Sequence, residues 1–196
     1  MKKYKLLAPV VAIILVLASF AGCSPQIDES AANAAKSYYN NTVIRQDVVT
    51  SNSYCAFDKV ALTEEIYKIK AESEGITLDE YLRNLAEKRN ITDKIDSVAD
   101  YLRALSTYYI NKNVDTYGEA YFSPDSQVVE FRSVVTDEIK TAYDNLVSKY
   151  SADGIDFSKY LNYSDISEGM QVTVGKDGNN TIVLLVKING SWKFLA

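Results

Sequence analysis

Thr181-Ile182-Val183-Leu184-Leu185-Val186-Lys187-Ile188-Asn189-Gly190-Ser191-Trp192-Lys193-Phe194-Leu195 is the stretch that settles the fold class. Thr181 to Ile188 is rich in β-branched residues, which suit a pleated surface. Asn189-Gly190 follows, and both residues tolerate the positive φ that a two-residue hairpin requires. Ser191 to Leu195 then reads as the returning strand. Upstream, Met170 to Val174 reads as a further short strand, joined through the polar turn Gly175 to Asn180. Together these segments predict a three-stranded antiparallel meander. Its middle strand, Ile182 to Val186, is apolar on both faces. One face can pack on helices, and the other needs a cover or a partner.

Before the sheet the hydrophobic period changes from two to 3.6. Ser123-Pro124-Asp125 supplies a hydroxyl cap, a proline where no N–H is needed, and an acid at the positive end of a helix dipole. Val128, Phe131, Val135, Ile139, Ala142, Leu146 and Tyr150 share one face of the helix so predicted. Thr92 opens another, with Ile95, Val98, Leu102, Leu105 and Tyr109 in its stripe. Thr77 and Glu80 form a capping box before Leu78, Tyr81, Leu82 and Leu85. Asp58 to Glu74 reads as a helix stopped by Gly75. Ser30 opens the first helix, which weakens at Asn40-Asn41, and Val43 to Phe57 fits neither period.

The expected fold is therefore α+β: an N-terminal section of about five helices packed on a C-terminal three-stranded antiparallel meander. Residues 30–196 suffice for one domain. Residues 30–95 and 100–165 also carry echoes of one another. Tyr38-Tyr39 matches Tyr108-Tyr109, Thr63 to Ile66 matches Thr136 to Ile139, and Gly75 to Leu82 matches Gly154 to Leu161. Either the chain is internally duplicated, or the echoes are helix entries that share a hydrophobic staple.

The N-terminus carries an address. Lys2, Lys3 and Lys5 precede an uncharged run from Leu6 to Phe20, and the small step Ala21-Gly22-Cys23 follows. Basic start, apolar core and small cleavage site are the layout of an export signal. Leu6 to Phe20 is shorter than the roughly 20 residues a membrane span requires. Phe20-Ala21-Gly22-Cys23 resembles the lipobox of bacterial lipoprotein precursors, with Phe20 where that family usually has leucine. The resemblance implies removal of residues 1–22 and diacylglycerol on the Cys23 sulfur. It implies anchoring to the cell membrane on its extracytoplasmic face, with residues 23–29 as a tether.

Without residues 1–22, which hold three of the 21 basic residues and none of the 26 acids, the balance is 18 against 26. A net −8 argues against nucleic acid, which demands a basic footprint. There is no histidine, so a zinc site is not expected, and Cys55 lacks a base to activate it as a nucleophile. Cys55 reads as a small buried side chain. Lys176 to Asn180 only superficially resembles a calcium loop and reads as a hairpin turn. No cofactor or metal is expected, and no pair of acids stands out as catalytic.

Tyrosine is the compositional oddity, with 15 in the chain. Tyr108, Tyr109, Tyr117 and Tyr121 are the candidate ligand-binding residues, because phenol rings stack on sugars or peptides while their hydroxyls stay wet. The terminal Asn189-Gly190-Ser191-Trp192-Lys193-Phe194 resembles the last strand of NTF2-like and cystatin-like domains of exported lipoproteins. That resemblance implies a cone-shaped cavity and mostly non-catalytic roles. The expected function is a membrane-tethered binding or accessory module for an envelope protein, peptide or glycan. The alternatives are a helical chaperone or spacer, since Ile69 to Leu85 resembles helices of extracellular folding factors, and a carboxylate-based wall hydrolase.

Cys23→Ala is expected to leave a precursor that keeps residues 1–22 and takes up no labelled palmitate. Metabolic labelling with intact-mass measurement checks this, and normal labelling of the variant sinks the lipid assignment.

Overall fold

The computed structural model describes residues 26–195; the leader and Cys23 lie outside them. Four strands, β1 (Gln127–Val134), β2 (Ile166–Lys176), β3 (Asn179–Ile188) and β4 (Ser191–Phe194), form an antiparallel sheet in the order β1-β2-β3-β4. Asp177-Gly178 joins β2 to β3 and Asn189-Gly190 joins β3 to β4. All four turn residues have φ between 49° and 81°, as tight two-residue hairpins require. The described helices are α1 (Glu29–Ser37), a π-helical segment (Tyr38–Ile44), α2 (Val48–Ser51), α3 (Lys59–Glu74), α4 (Leu78–Glu87), α5 (Val98–Tyr117) and α6 (Thr136–Ser151). The fold is α+β.

The sheet has one strand more than the sequence suggests. The helix expected from Ser123 to Tyr150 is a strand followed by a helix, β1 and then α6. Val128, Val129, Val134 and Val135 are stiff β-branched residues that crowd a helix and fit a pleat. Pairing β1 with β2, Phe131 opposite Val172 and Val134 opposite Gly169, also satisfies a long strand edge that would otherwise lie open. Helix α6 starts at Thr136 with no side-chain cap, so no sequence signal marked the boundary.

Smaller shifts have local causes. Asp28, not Ser30, caps α1 by accepting from the Ser30 and Ala31 amides. Helix α5 starts at Val98, where the Ser97 side chain accepts from the Asp100 amide; Ile91 and Ile95 pack from irregular chain before it. Thr77 caps α4 and Gly75 ends α3 at φ 72°, both as expected. Between Val43 and Phe57 the chain passes through the π segment, α2 and a 3-10 turn. It then bridges β4 at Cys55, where the Ala56 amide donates to the Phe194 carbonyl at 2.8 Å. Of the echoed segments, Thr63 to Ile66 lie inside α3 and Thr136 to Ile139 form the first turn of α6.

The apolar middle strand is covered along one side, and on the other only over the half that carries Leu184 and Val186. Val172, Val174, Val183, Leu185 and Phe194 belong to a core that Ala31, Ala34 and Ala35 of α1 join, all of them buried. The alanines let α1 approach closely, and Tyr38 meets Phe194 edge-on at 5.2 Å. On the opposite face, Ala142 and Leu146 of α6 face Leu184 and Leu195 across a cleft of about 270 Å³. The rest of that face is open and, apart from Ile182, mostly polar. Thr173 donates to Glu130, and Arg132 makes a bidentate bond to Glu138, while Ile182 is 58% exposed. Helices α3, α4 and α5 hold a second cluster of Leu82, Ala86, Val98, Tyr101 and Leu102 beside the main core.

A Cβ at Gly169 would lie within 2.6 Å of Val134 and Ile139, where α6 meets the sheet. Gly169→Val should therefore lower unfolding free energy by about 1–3 kcal/mol. Ile182→Thr, on the open half of the same face, should stay within about 0.5 kcal/mol of the wild type. Urea denaturation checks both.

Candidate functional site

Helix α5 belongs to both cores. Its first half packs through Val98, Tyr101 and Leu102 into the helical cluster, and its second half sends Tyr109, Ile110 and Val114 against the main core. Ser106 ties the middle down by donating to the Arg45 carbonyl at 2.8 Å. Past Tyr117, Gly118 adopts φ 78° and turns the chain into the 3-10 segment Glu119–Phe122. That reversal lays Tyr121 on Tyr117, with ring centroids 4.8 Å apart and planes 26° from parallel. Phe122 is buried beneath and takes Tyr109 and Tyr121 edge-on at 6.3 and 5.1 Å.

The β2–β3 hairpin braces this corner. Lys176 donates to the Ala120 carbonyl and pairs with Asp125 at 2.6 Å, which holds the Asp125 carboxyl below its ordinary pKa. The Tyr39 hydroxyl donates to the Asn179 carbonyl at 2.8 Å. Burial pushes the Tyr109 and Tyr121 phenols up. Tyr117 is 53% exposed. Of the four expected residues, the structure brings Tyr109, Tyr117 and Tyr121 into one aromatic corner with Tyr117 outermost.

Tyr108 lies elsewhere. It lines an open cleft of about 410 Å³ between α5 and the loop after α4, together with Asn90, Thr92, Thr107, Asn111 and Lys112. Lys112 sits over its ring, 5.7 Å from the centroid. Sequence reasoning missed this cleft. The available signal was the polar spacing Thr107, Tyr108, Asn111 and Lys112 behind the small Ala104, which places all five on one side of a helix. A neighbouring cavity of about 470 Å³ shares Ile91 and Asp93 with it and is lined by Asp79, Glu87 and Asp96 with Arg83.

Most other tyrosines serve the cores. Tyr67 contacts Tyr81 and Tyr101 at 5.6 and 6.1 Å, and the Tyr143 hydroxyl donates to the Leu161 carbonyl. Cys55 is buried, and burial pushes its thiol pKa up, away from nucleophilic character. Among the described residues no group of three or more His, Cys, Asp or Glu is placed to hold a metal ion, and no helix is long and apolar enough to cross a membrane. No protein-family model, curated protein or solved structure matches the chain.

Burial pushes the Tyr67 phenol up to about 12; burial, helped by the Glu65 hydrogen bond, does the same to Tyr160. Such a phenol keeps its proton in the folded state after the unfolded chain loses it near pH 10. The stabilisation is full below pH 10 and falls as pH rises towards 12. Tyr67→Phe and Tyr160→Phe should each flatten that fall, as read from urea midpoints across the range. Tyrosinate absorbance of the folded wild type should contain a late-titrating component that the two variants reduce.

Proposed function

We propose that the chain is a lipid-anchored protein of the extracytoplasmic face of the cell membrane. In this reading it is a non-catalytic binding or accessory module for an envelope protein, peptide or glycan. Anchoring rests on the pattern from Lys2 to Cys23. The binding half is carried by one observation: Tyr117, more than half exposed, is held flat against Tyr121 at a corner braced by Lys176 and Asp125. A rigid aromatic face with few rotamers to lose gains contact area at small entropic cost. Nothing in the fold requires that ring outside, since Phe122 and Tyr109 already close the core beneath it.

A chaperone would need a broad apolar groove. The other large apolar residues left exposed, among them Val43, Val129, Val135 and Ile182, are dispersed over separate elements, which favours a discrete platform. A wall hydrolase would draw its carboxylates from the cavity lined by Asp79, Glu87, Asp93 and Asp96. Release of soluble fragments from purified wall, lost in Asp93→Asn or Asp96→Asn, would favour that second reading.

Full-length protein in detergent should be retained on a purified envelope fraction. The double variant Tyr117→Ala, Tyr121→Ala should lose about tenfold in affinity there, with little change in thermal midpoint. Unchanged retention of the double variant overturns the platform.

A further inference from the structure

The cleft at Tyr108 has a chemistry distinct from the aromatic corner. Its volume, about 410 Å³, falls within the roughly 300–1,000 Å³ of small-ligand sites. Beside Asp93 and Lys112, its polar groups are amides and hydroxyls. Within the described protein the side chains of Asn90, Thr92, Asn111 and Tyr108 make no hydrogen bond, so their donors and acceptors are available. Thr107 alone is used internally, donating to the Arg103 carbonyl at 3.2 Å.

The backbone that carries these groups is fixed, while Asn90, Thr92 and Asn111 present exposed side chains from it. On the loop side Asn90 holds φ 55°, a left-handed conformation that asparagine tolerates, and the Ile91 amide donates to the Ala86 carbonyl at 3.0 Å. On the helix side, Ala104 lies one turn before Tyr108 and is small and buried, so a flat ligand can approach the α5 backbone beside the ring. Asp93 and Lys112 carry opposite charges on the lining, which leaves no net formal charge. A phosphate would want more cations and a basic peptide more acids. A half-buried phenol ring, an apolar Ile91 and four free amide or hydroxyl groups instead suit a ligand with apolar C–H faces and a hydroxylated rim.

We propose that this cleft binds a saccharide unit, stacked on Tyr108 and hydrogen-bonded by Asn90, Thr92 and Asn111. The proposal deepens the binding-module reading by naming a ligand class. It uses different residues from the Tyr117–Tyr121 platform, so the two fail separately. The adjoining cavity beyond Ile91 and Asp93 gives a second unit somewhere to lie, so an oligosaccharide fits better than a single sugar.

Calorimetry on the full chain, in a detergent without a sugar headgroup, tests this with three probes: chitotetraose, cellotetraose and disaccharide-peptide fragments of peptidoglycan. At least one should bind. Tyr108→Ala and Asn111→Ala should each weaken it about tenfold. Ile182→Thr, on the sheet and outside the cleft lining, should leave it unchanged. Binding of the peptidoglycan fragments alone assigns the wall as the source, and binding of the plain tetrasaccharides assigns free oligosaccharide. Circular dichroism of each variant, with Asn111→Asp as a milder substitution, separates loss of the site from loss of the fold. Failure of all three probes to bind overturns the assignment, as does binding that survives in the folded Tyr108→Ala, Asn111→Ala double variant.

Discussion

Strand β3 is apolar on both faces, and that constraint organises the molecule. Val183 and Leu185 point to one side, Leu184 and Val186 to the other, and Val183, Leu185 and Val186 are buried. A strand of this kind is stable only between two layers. Helix α1 provides one through three buried alanines, small enough to bring its backbone close. Helix α6 provides the other, and it can do so only because Gly169 has no side chain where Ile139 descends. Each buried aliphatic side chain contributes on the order of 1.5–3 kcal/mol, so these contacts dominate other local terms.

With α1 and α6 on the sheet, α3 still reaches the main core through Leu62, Ile66 and Ile69, whereas α4 does not. Helix α4 buries its stripe, together with Val60 and Tyr67 of α3, against the first half of α5, in a cluster closed by Tyr67, Tyr81 and Tyr101. Helix α3 contributes to both clusters, and α5 is the longer bridge between them. One end lies in the helical cluster, Ser106 is fastened to Arg45, and the far end closes the main core over Phe122. Both candidate binding surfaces sit on this helix, at positions its two packing duties leave unoccupied. Tyr108 faces the loop from α4, and Tyr117 stands beyond the last buried turn. Rigid elements hold such rings more firmly than loops would.

The surplus of tyrosine divides accordingly. Most rings fill the two cores or rest half-buried at their rims, and Tyr39 and Tyr143 give their hydroxyls to backbone carbonyls. A phenol combines large apolar area with one polar atom to satisfy. Abundance by itself therefore pointed to no ligand. Tyr117 and Tyr108 differ from the others only in what surrounds them.

By itself the sequence determined whatever local chemistry dictates. Asn189-Gly190 had to be a hairpin because both residues accept positive φ, and Gly75 and Thr77 had to end one helix and begin another. Helices followed by an antiparallel sheet came from the change of period. Tertiary structure decided the fate of Gln127 to Val134, whose apolar spacing fitted a helix and whose β-branched residues fitted a strand, when the open edge of β2 claimed it. Tertiary structure also divided Tyr108 from Tyr109: neighbours in a helix point about 100° apart, and only the packing of α5 shows which way faces the core. Local signals fix backbone conformation residue by residue, whereas edges, faces and clefts exist only between segments distant in the chain.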